Sequence, residues 1–334
     1  MPFNADRYWG DIIKEMLNES GKKFTPQEYS EAQNREYWIK RSEELDKVTK
    51  KLEKQVMKEM SELYARTFRE IAKETNDFLM KYATDNKVDF NTVNQLITPI
   101  ELSEYTEKME QLRAMYRDTK SEYILREIKE LEARKTITRL QALQDSINIE
   151  LCKTAHEFQM TLEDVMTGMF TEQYKHVAEL LGDMRPVIPG EAIKKIIEYP
   201  YHGKMFADSV WDNKKNLLIN YINKNLTIGI IRGDSVQKMA RQLRDDLGVF
   251  YYQAERLIRT ETNYAMNQAH LQGYKDSEVV EKYEILAYVD KRTSKICKKM
   301  DRKIFKLTEA QVGENYPPFH PNCRTTVIPV LEDW

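Results

Sequence analysis

The sequence predicts a mainly α-helical protein that ends in a small α+β module. Three observations point that way. Residues 1–150 of the 334 contain only Gly10, Gly21, Pro2, Pro26 and Pro99 as strong helix breakers. Apolar residues in that half recur every three or four positions, and the period changes to two only after Asp276. The resulting division is a long-helix region over 1–167, a compact helical middle over 168–250 and an α+β module over 251–334.

The first helix is read from Leu45, with Val48, Leu52, Val56, Met60, Leu63, Phe68, Ile71, Phe78 and Tyr82 forming one amphipathic stripe. Asp85 to Pro99 is a polar connection, and Pro99 calls for a turn. The helical pattern then resumes through Leu102, Tyr105, Met109, Leu112, Tyr116, Tyr123, Ile128, Leu131, Leu140, Leu143, Ile147 and Leu151 toward Met166. Unbroken to Thr167, that rod would be about 99 Å long at 1.5 Å per residue, with a kink near Thr136–Thr138 where β-branched residues cluster. Such helices form an antiparallel hairpin or coiled coil, or offer a face to a large partner.

Between Gly168 and Gly248, Gly182, Pro186, Pro189, Gly190, Pro200, Gly203, Gly229 and Gly233 punctuate shorter helices such as Leu217–Ile231. Ser235–Leu247 and Tyr251–Gly273 each repeat the helical spacing and predict two helices. Tyr283, Ile285, Ala287 and Val289 then alternate as a strand whose other face is partly apolar. Further strands are expected at Lys303–Leu307 and Thr325–Val330, where Pro329 argues for a sheet edge.

With 52 Lys plus Arg against 54 Asp plus Glu, the net charge of −2 excludes a uniformly basic nucleic-acid coat. At 41% apolar residues the chain is too hydrophobic to be wholly disordered. No apolar run approaches the roughly 20 residues that span a bilayer, so no membrane anchor is expected. The start, MPFNADRYWGDII, lacks the parts of a secretory signal, which predicts a cytoplasmic chain. Cys152, Cys297 and Cys323 are odd in number and widely spaced, which predicts reduced thiols.

Two groups of residues could carry chemistry. Cys297, His320 and Cys323 suit zinc by ligand type, and the turn-rich run from Tyr316 to Arg324 could bring the last two toward the first. They make three ligands where a structural site closes with four. Asp290 or a water could supply the fourth, or the three could be ordinary buried thiols and a turn histidine. The second group is Lys291, Arg292, Lys295, Lys298, Lys299, Arg302, Lys303 and Lys306, eight cations in sixteen residues with Asp301 as the only acid. Such a run can neutralise the phosphates of double-stranded DNA without reading sequence, or be a solvated basic turn. No nucleotide-loop, nucleophile-elbow, dinucleotide, H-E-x-x-H or deaminase motif is present, so no enzymatic activity is expected. The competing reading is a metal-dependent nuclease or transferase built on the Cys/His residues.

Several motifs together resemble those of the phage head-morphogenesis proteins, the minor capsid family similar to protein F of phage Mu. They are Gly233-Asp234-Ser235, then Arg259-Thr260-Glu261 with Ala265, Asn267 and Ala269, then Asp290-Lys291-Arg292-Thr293 with Cys297, and the closing Pro317-Pro318-Phe319-His320-Pro321-Asn322-Cys323-Arg324. The resemblance covers Arg232 to Pro329. Tyr37-Trp38 and Arg41, before the long helices, match in texture. Many relatives carry a C-x-x-C after D-x-R-T, and here Ser294 takes the first position. The resemblance otherwise implies a Cys/Cys/His/Cys zinc site.

The resemblance also implies a low-copy structural protein of a tailed-phage head. Such a protein associates with the portal and with capsid or scaffold proteins, is carried into the virion from the host cytoplasm, and acts in assembly or genome ejection. Arg259, Thr260 and Glu261 are expected to be architectural, because an Arg and a Glu two apart on a helix point to different faces.

Overall fold

The computed structural model describes Ile12, residues 35–181 and residues 186–331. The opening stretch read for targeting signals, with its glycines and early prolines, and Gly182 lie outside the described residues.

Helix α1 runs Arg35–Tyr82. Leu52, Val56 and Met60 on its predicted stripe are fully buried. Farther along, the buried line passes through Thr67, Ile71, Thr75 and Leu79, while Phe68, Phe78 and Tyr82 are only half-buried. A polar residue can hold such a place when its hydroxyl is satisfied. Thr67 donates to the Leu63 carbonyl at 3.1 Å and meets the Thr154 hydroxyl at 2.7 Å.

The connection after α1 is a hairpin of β1 (Ala83–Thr84) and β2 (Lys87–Val88), turned by Asp85 and Asn86, both at positive φ. A short helix α2 (Phe90–Val93) follows, capped by Asp89. Helix α3 (Pro99–Thr119) opens with Pro99 in its first turn and a reciprocal Thr98/Glu101 capping box. Pro99 therefore starts a helix.

The single rod expected toward Thr167 is broken twice. Lys120, at φ 55°, ends α3, and the Ser121 hydroxyl caps α4 (Glu122–Glu132). The second break lies beside the Thr136–Thr138 cluster. There Thr138 and Gln141 exchange side chain-to-backbone bonds of 2.9 and 3.3 Å at the start of α5 (Arg139–Leu180). Capping hydroxyls overrode an apolar period that continues across both breaks.

Helix α6 is Gly190–Ile197 and α7 is Phe206–Asn216. A π-helical stretch, Leu217–Asn223, leads into α8 (Lys224–Ile231). The two helices expected next are one, α9 (Val236–Asp276), which passes through Gly248 without a break. An interior glycine costs only about 1 kcal/mol, less than the burial of Leu243, Leu247, Ala254 and Ile258 on either side contributes. Gly273 on α9 is required by packing: a Cβ there would lie 2.8 Å from Val177 on α5.

The module closes with β3 (Lys282–Leu286), α10 (Lys295–Met300), β4 (Ile304–Lys306) and β5 (Thr326–Val330). The antiparallel order is β4-β3-β5, and Pro329 faces Tyr283 on an edge strand, as its missing N–H demands. Strand β3 stops at Leu286, short of the expected Val289, because the Ala287 N–H donates to the Asp301 carboxylate at 2.9 Å and leaves the ladder.

The chain forms two compact units. One holds α1 up to Lys58, Gln159–Phe206 and the chain from Glu255; the other holds Glu59–Phe158 and Ala207–Ala254. In the first, one core cluster gathers Val177, Tyr274, Tyr283, Ile285, Tyr316 and Val327 together with Cys297 and Cys323. A smaller cluster of Trp38, Leu180, Leu286 and Ile328 takes the other side of the sheet, which explains why β3 is apolar on both faces.

In the second unit, Lys214 is buried with its ammonium 2.8 Å from Glu127 and 2.8 Å from Asn148. Removing one member of such a pair strands the other charge. Lys214→Ala is expected to lower stability by about 3–5 kcal/mol in chemical denaturation. A Lys214→Met/Glu127→Gln double variant should recover most of that loss.

Candidate functional site

Three motifs far apart in sequence meet in the first unit. Asp290 organises its own loop: it accepts the Arg292 N–H at 2.7 Å and the Thr293 hydroxyl at 3.0 Å, and that hydroxyl also reaches the Tyr288 carbonyl. Arg324 of the closing motif donates to the same carboxylate at 2.7 Å. This guanidinium, with the loop N–H groups, holds the Asp290 carboxyl well below the usual range. From α9, the Thr260 hydroxyl accepts the Asn322 N–H at 3.0 Å. Asn322 itself sits at φ 61°, a conformation asparagine tolerates.

Residues 259–261 each reach different partners. Arg259 pairs with Glu255 at 2.7 Å and Glu53 at 3.6 Å. Glu261 is buried and accepts a hydrogen bond from the Tyr201 hydroxyl at 2.9 Å; its second oxygen has no partner among the described residues. Burial pushes its carboxyl up to about 8, against the lowering effect of Tyr201. Glu53, which the sequence gave no reason to single out, is pushed by burial to about 7 despite Arg259.

Cys297, His320 and Cys323 come together, with their potential ligand atoms all within 4.8 Å of one another. Cys297 Sγ lies 3.7 Å from Cys323 Sγ and 3.1 Å from His320 Nε2. Both thiols are free and buried. His320 Nδ1 donates to the Pro321 carbonyl at 2.8 Å, so Nε2 is the nitrogen turned toward the sulfurs. The hydrogen bond from Cys323 lowers the Cys297 thiol, while donating that bond and burial push Cys323 up. Two free thiols and an oriented imidazole in one small space are a chemical fit for zinc, which binds the thiols as thiolates. Zinc held there would cross-link the start of α10 to the closing loop. A cleft of about 580 Å³ reaches Cys323 and provides an entry path. Asp290, the other candidate ligand, is engaged by Arg324.

The eight cations of 291–306 are all exposed, on the D-x-R-T loop, α10, the following turn and β4. Three have an acid nearby: Arg292 lies 3.8 Å from Asp290, Arg302 3.9 Å from Asp301, and Lys306 4.0 Å from Glu309. No ion pair links the other five to a described residue.

A helix-backed three-stranded module with convergent Cys/His ligands and an exposed cationic loop defines the class. Residues 220–328 match the family described as Phage Mu protein F like protein, which supports the phage head-morphogenesis resemblance carried by the motifs. The chain is also similar to the NAD(+)--arginine ADP-ribosyltransferase EFV of Enterococcus faecalis (strain ATCC 700802 / V583), with 23% identity over 270 residues, covering 75% of this chain and 52% of that protein. It thus spans about half the length of that relative. No solved structure matches it. No helix among the described residues is long and apolar enough to cross a membrane.

The raised carboxyl of Glu261 has a signed consequence. Its folded-state value near 8 lies above the ordinary 4.5 of a free glutamate, so the unfolded chain releases this proton first as pH rises. The stability linked to it is complete below about pH 4.5 and is lost as pH climbs to about 8. Glu261→Gln should flatten that decline in a series of thermal melts between pH 5 and 8, leaving the smaller slope from Glu53. An undiminished slope would show that Glu261 ionises freely in the fold.

Proposed function

We propose that this chain is a structural component of a tailed-phage head. It docks on the portal or on neighbouring capsid or scaffold proteins, and its 291–306 loop contacts packaged double-stranded DNA. The observation that carries the reading is the pairing of a family module with a surface on which eight cations are exposed within sixteen residues. A rigid base supports that surface, since Asp290, Thr293 and Cys297 beneath it are tied to Arg324, Tyr288 and His320.

The long amphipathic helices supply area for docking on an assembly. Zinc bound by Cys297, His320 and Cys323 would brace the loop. The place of action is the virion, after assembly in the host cytoplasm, with a part in genome ejection. Catalysis has no place in this reading. A nuclease centre needs a general base beside its ligands, and the nearest preceding histidine, His270, is buried against Gln173 and Thr326. The transferase activity in the name of the Enterococcus protein is that protein's.

Co-expression of the full chain with its cognate portal protein should give a complex that survives affinity purification and gel filtration. A portal that elutes without the chain would remove docking on the portal. DNA contact is tested by salt. Binding should be independent of sequence, with a dissociation constant of about 10⁻⁴ to 10⁻⁶ M at physiological salt. Replacing Lys295, Lys298, Lys299 and Lys303 with Gln should make the slope of log K against log[salt] shallower by up to about 3.6, at roughly 0.9 per phosphate. An unaltered affinity and slope would leave these lysines as a solvated or capsid-facing surface.

A further inference from the structure

We propose that Ser294 is the fourth protein donor of the Cys297/His320/Cys323 cluster, offering its hydroxyl oxygen to a bound zinc ion. The inference rests on reading that cluster as a metal site, and goes beyond it by naming the corner the other three leave open.

The geometry is local. Ser294 Oγ lies 2.8 Å from His320 Nε2, the nitrogen that Cys297 Sγ approaches to 3.1 Å. Cys323 Sγ lies 3.7 Å from Cys297 Sγ. The hydroxyl oxygen thus stands beside the imidazole nitrogen that is grouped with both sulfurs within 4.8 Å. Around a tetrahedral zinc with bonds of about 2.3 Å to sulfur, two sulfurs would stand about 3.8 Å apart, close to the separation present.

The hydroxyl is held in place independently of any ion. Ser294 caps α10: its Oγ accepts the Cys297 N–H at 3.1 Å, and its carbonyl accepts the Lys298 N–H at 3.0 Å. A serine oxygen has two lone pairs. The cap uses one and leaves the other for a cation. Asp290 offers no alternative, because its carboxylate already serves Arg324, the Arg292 N–H and the Thr293 hydroxyl.

The chemistry of that corner sets the character of the site. Two thiolates balance the charge of a divalent zinc ion, and a neutral hydroxyl adds a hard, weak donor where a structural site would carry thiolate or imidazole. The cation should be held less tightly than in a fully closed site, and its fourth position should exchange with water.

The test uses purified full-length chain stripped with a chelator, its Ser294→Cys variant and its Ser294→Asp variant. Asp keeps a capping side chain and presents an oxygen donor, so it guards against misfolding of the cysteine variant. Zinc affinity is read by competition with a chromophoric chelator, and thiolate count by the sulfur-to-cobalt charge-transfer band of the Co²⁺ forms. Ser294→Cys should bind zinc tighter by more than the about 10–100-fold typical of second-shell changes, with charge-transfer intensity per cobalt raised by about half, from two thiolates to three. Ser294→Asp should also bind tighter than the parent chain.

Zinc binding by the parent, with neither variant altering affinity or spectrum, overturns the role of Ser294 and leaves the three-residue site standing. No metal binding by the parent or by either folded variant overturns both readings. Binding by the variants alone overturns the role of the Ser294 hydroxyl, because the serine chain then holds no zinc.

Discussion

Two buried asparagines on α9 hold the C-terminal sheet to its helical support. Asn263 and Asn267 each donate to the Thr325 carbonyl at 3.2 Å, and the Thr326 hydroxyl returns a bond to Asn267 at 3.1 Å. These amides capture the first residues of β5, the strand that emerges from the closing loop. A three-stranded sheet with so short a β4 cannot bury a core alone. It becomes stable because α9 and α5 cover the Tyr283 and Ile285 side, while Trp38 and Leu180 cover the Leu286 side. Cys323 sits two residues before the captured carbonyl, so its position follows from the same clip.

The cationic loop depends on this support in turn. Exposed lysines repel one another and would not by themselves hold a defined loop. Here the segment is pinned at its start by Asp290 to Arg324, is capped by Ser294 at α10, and ends in β4, paired to β3. The Arg324–Asp290 pair is partly exposed and contributes little stability as an ion pair. Its contribution is positional, since it joins the D-x-R-T loop to the residue after Cys323. The co-occurrence of those two sequence motifs thereby acquires a physical cause.

Much of this architecture was legible from the sequence. The stripe through Leu52, Val56 and Met60, the three C-terminal strands, the edge placement of Pro329 and the family motifs all register in apolar period or residue type. The breaks at Lys120 and before Arg139 were not, because the apolar spacing runs through them. The signal was instead in Ser121, and in Thr138 followed three residues later by Gln141. Joining two expected helices into α9 depended on burial around Gly248, which no local pattern reports. At the candidate site, Cys297, His320 and Cys323 were recognisable as metal-ligand types. Ser294 was visible only as a departure from its relatives, and its place beside His320 required the fold.

Gly273 shows how far from the thiols their environment is decided. Its missing side chain is what allows α9 to lie directly against Val177 on α5. Val177 shares a core cluster with Tyr274, Tyr283, Cys297 and Cys323. A methyl group at 273 would have to displace Val177 within that cluster. The core that the two thiols share is thus sensitive to a position on α9, a helix that contributes neither of them.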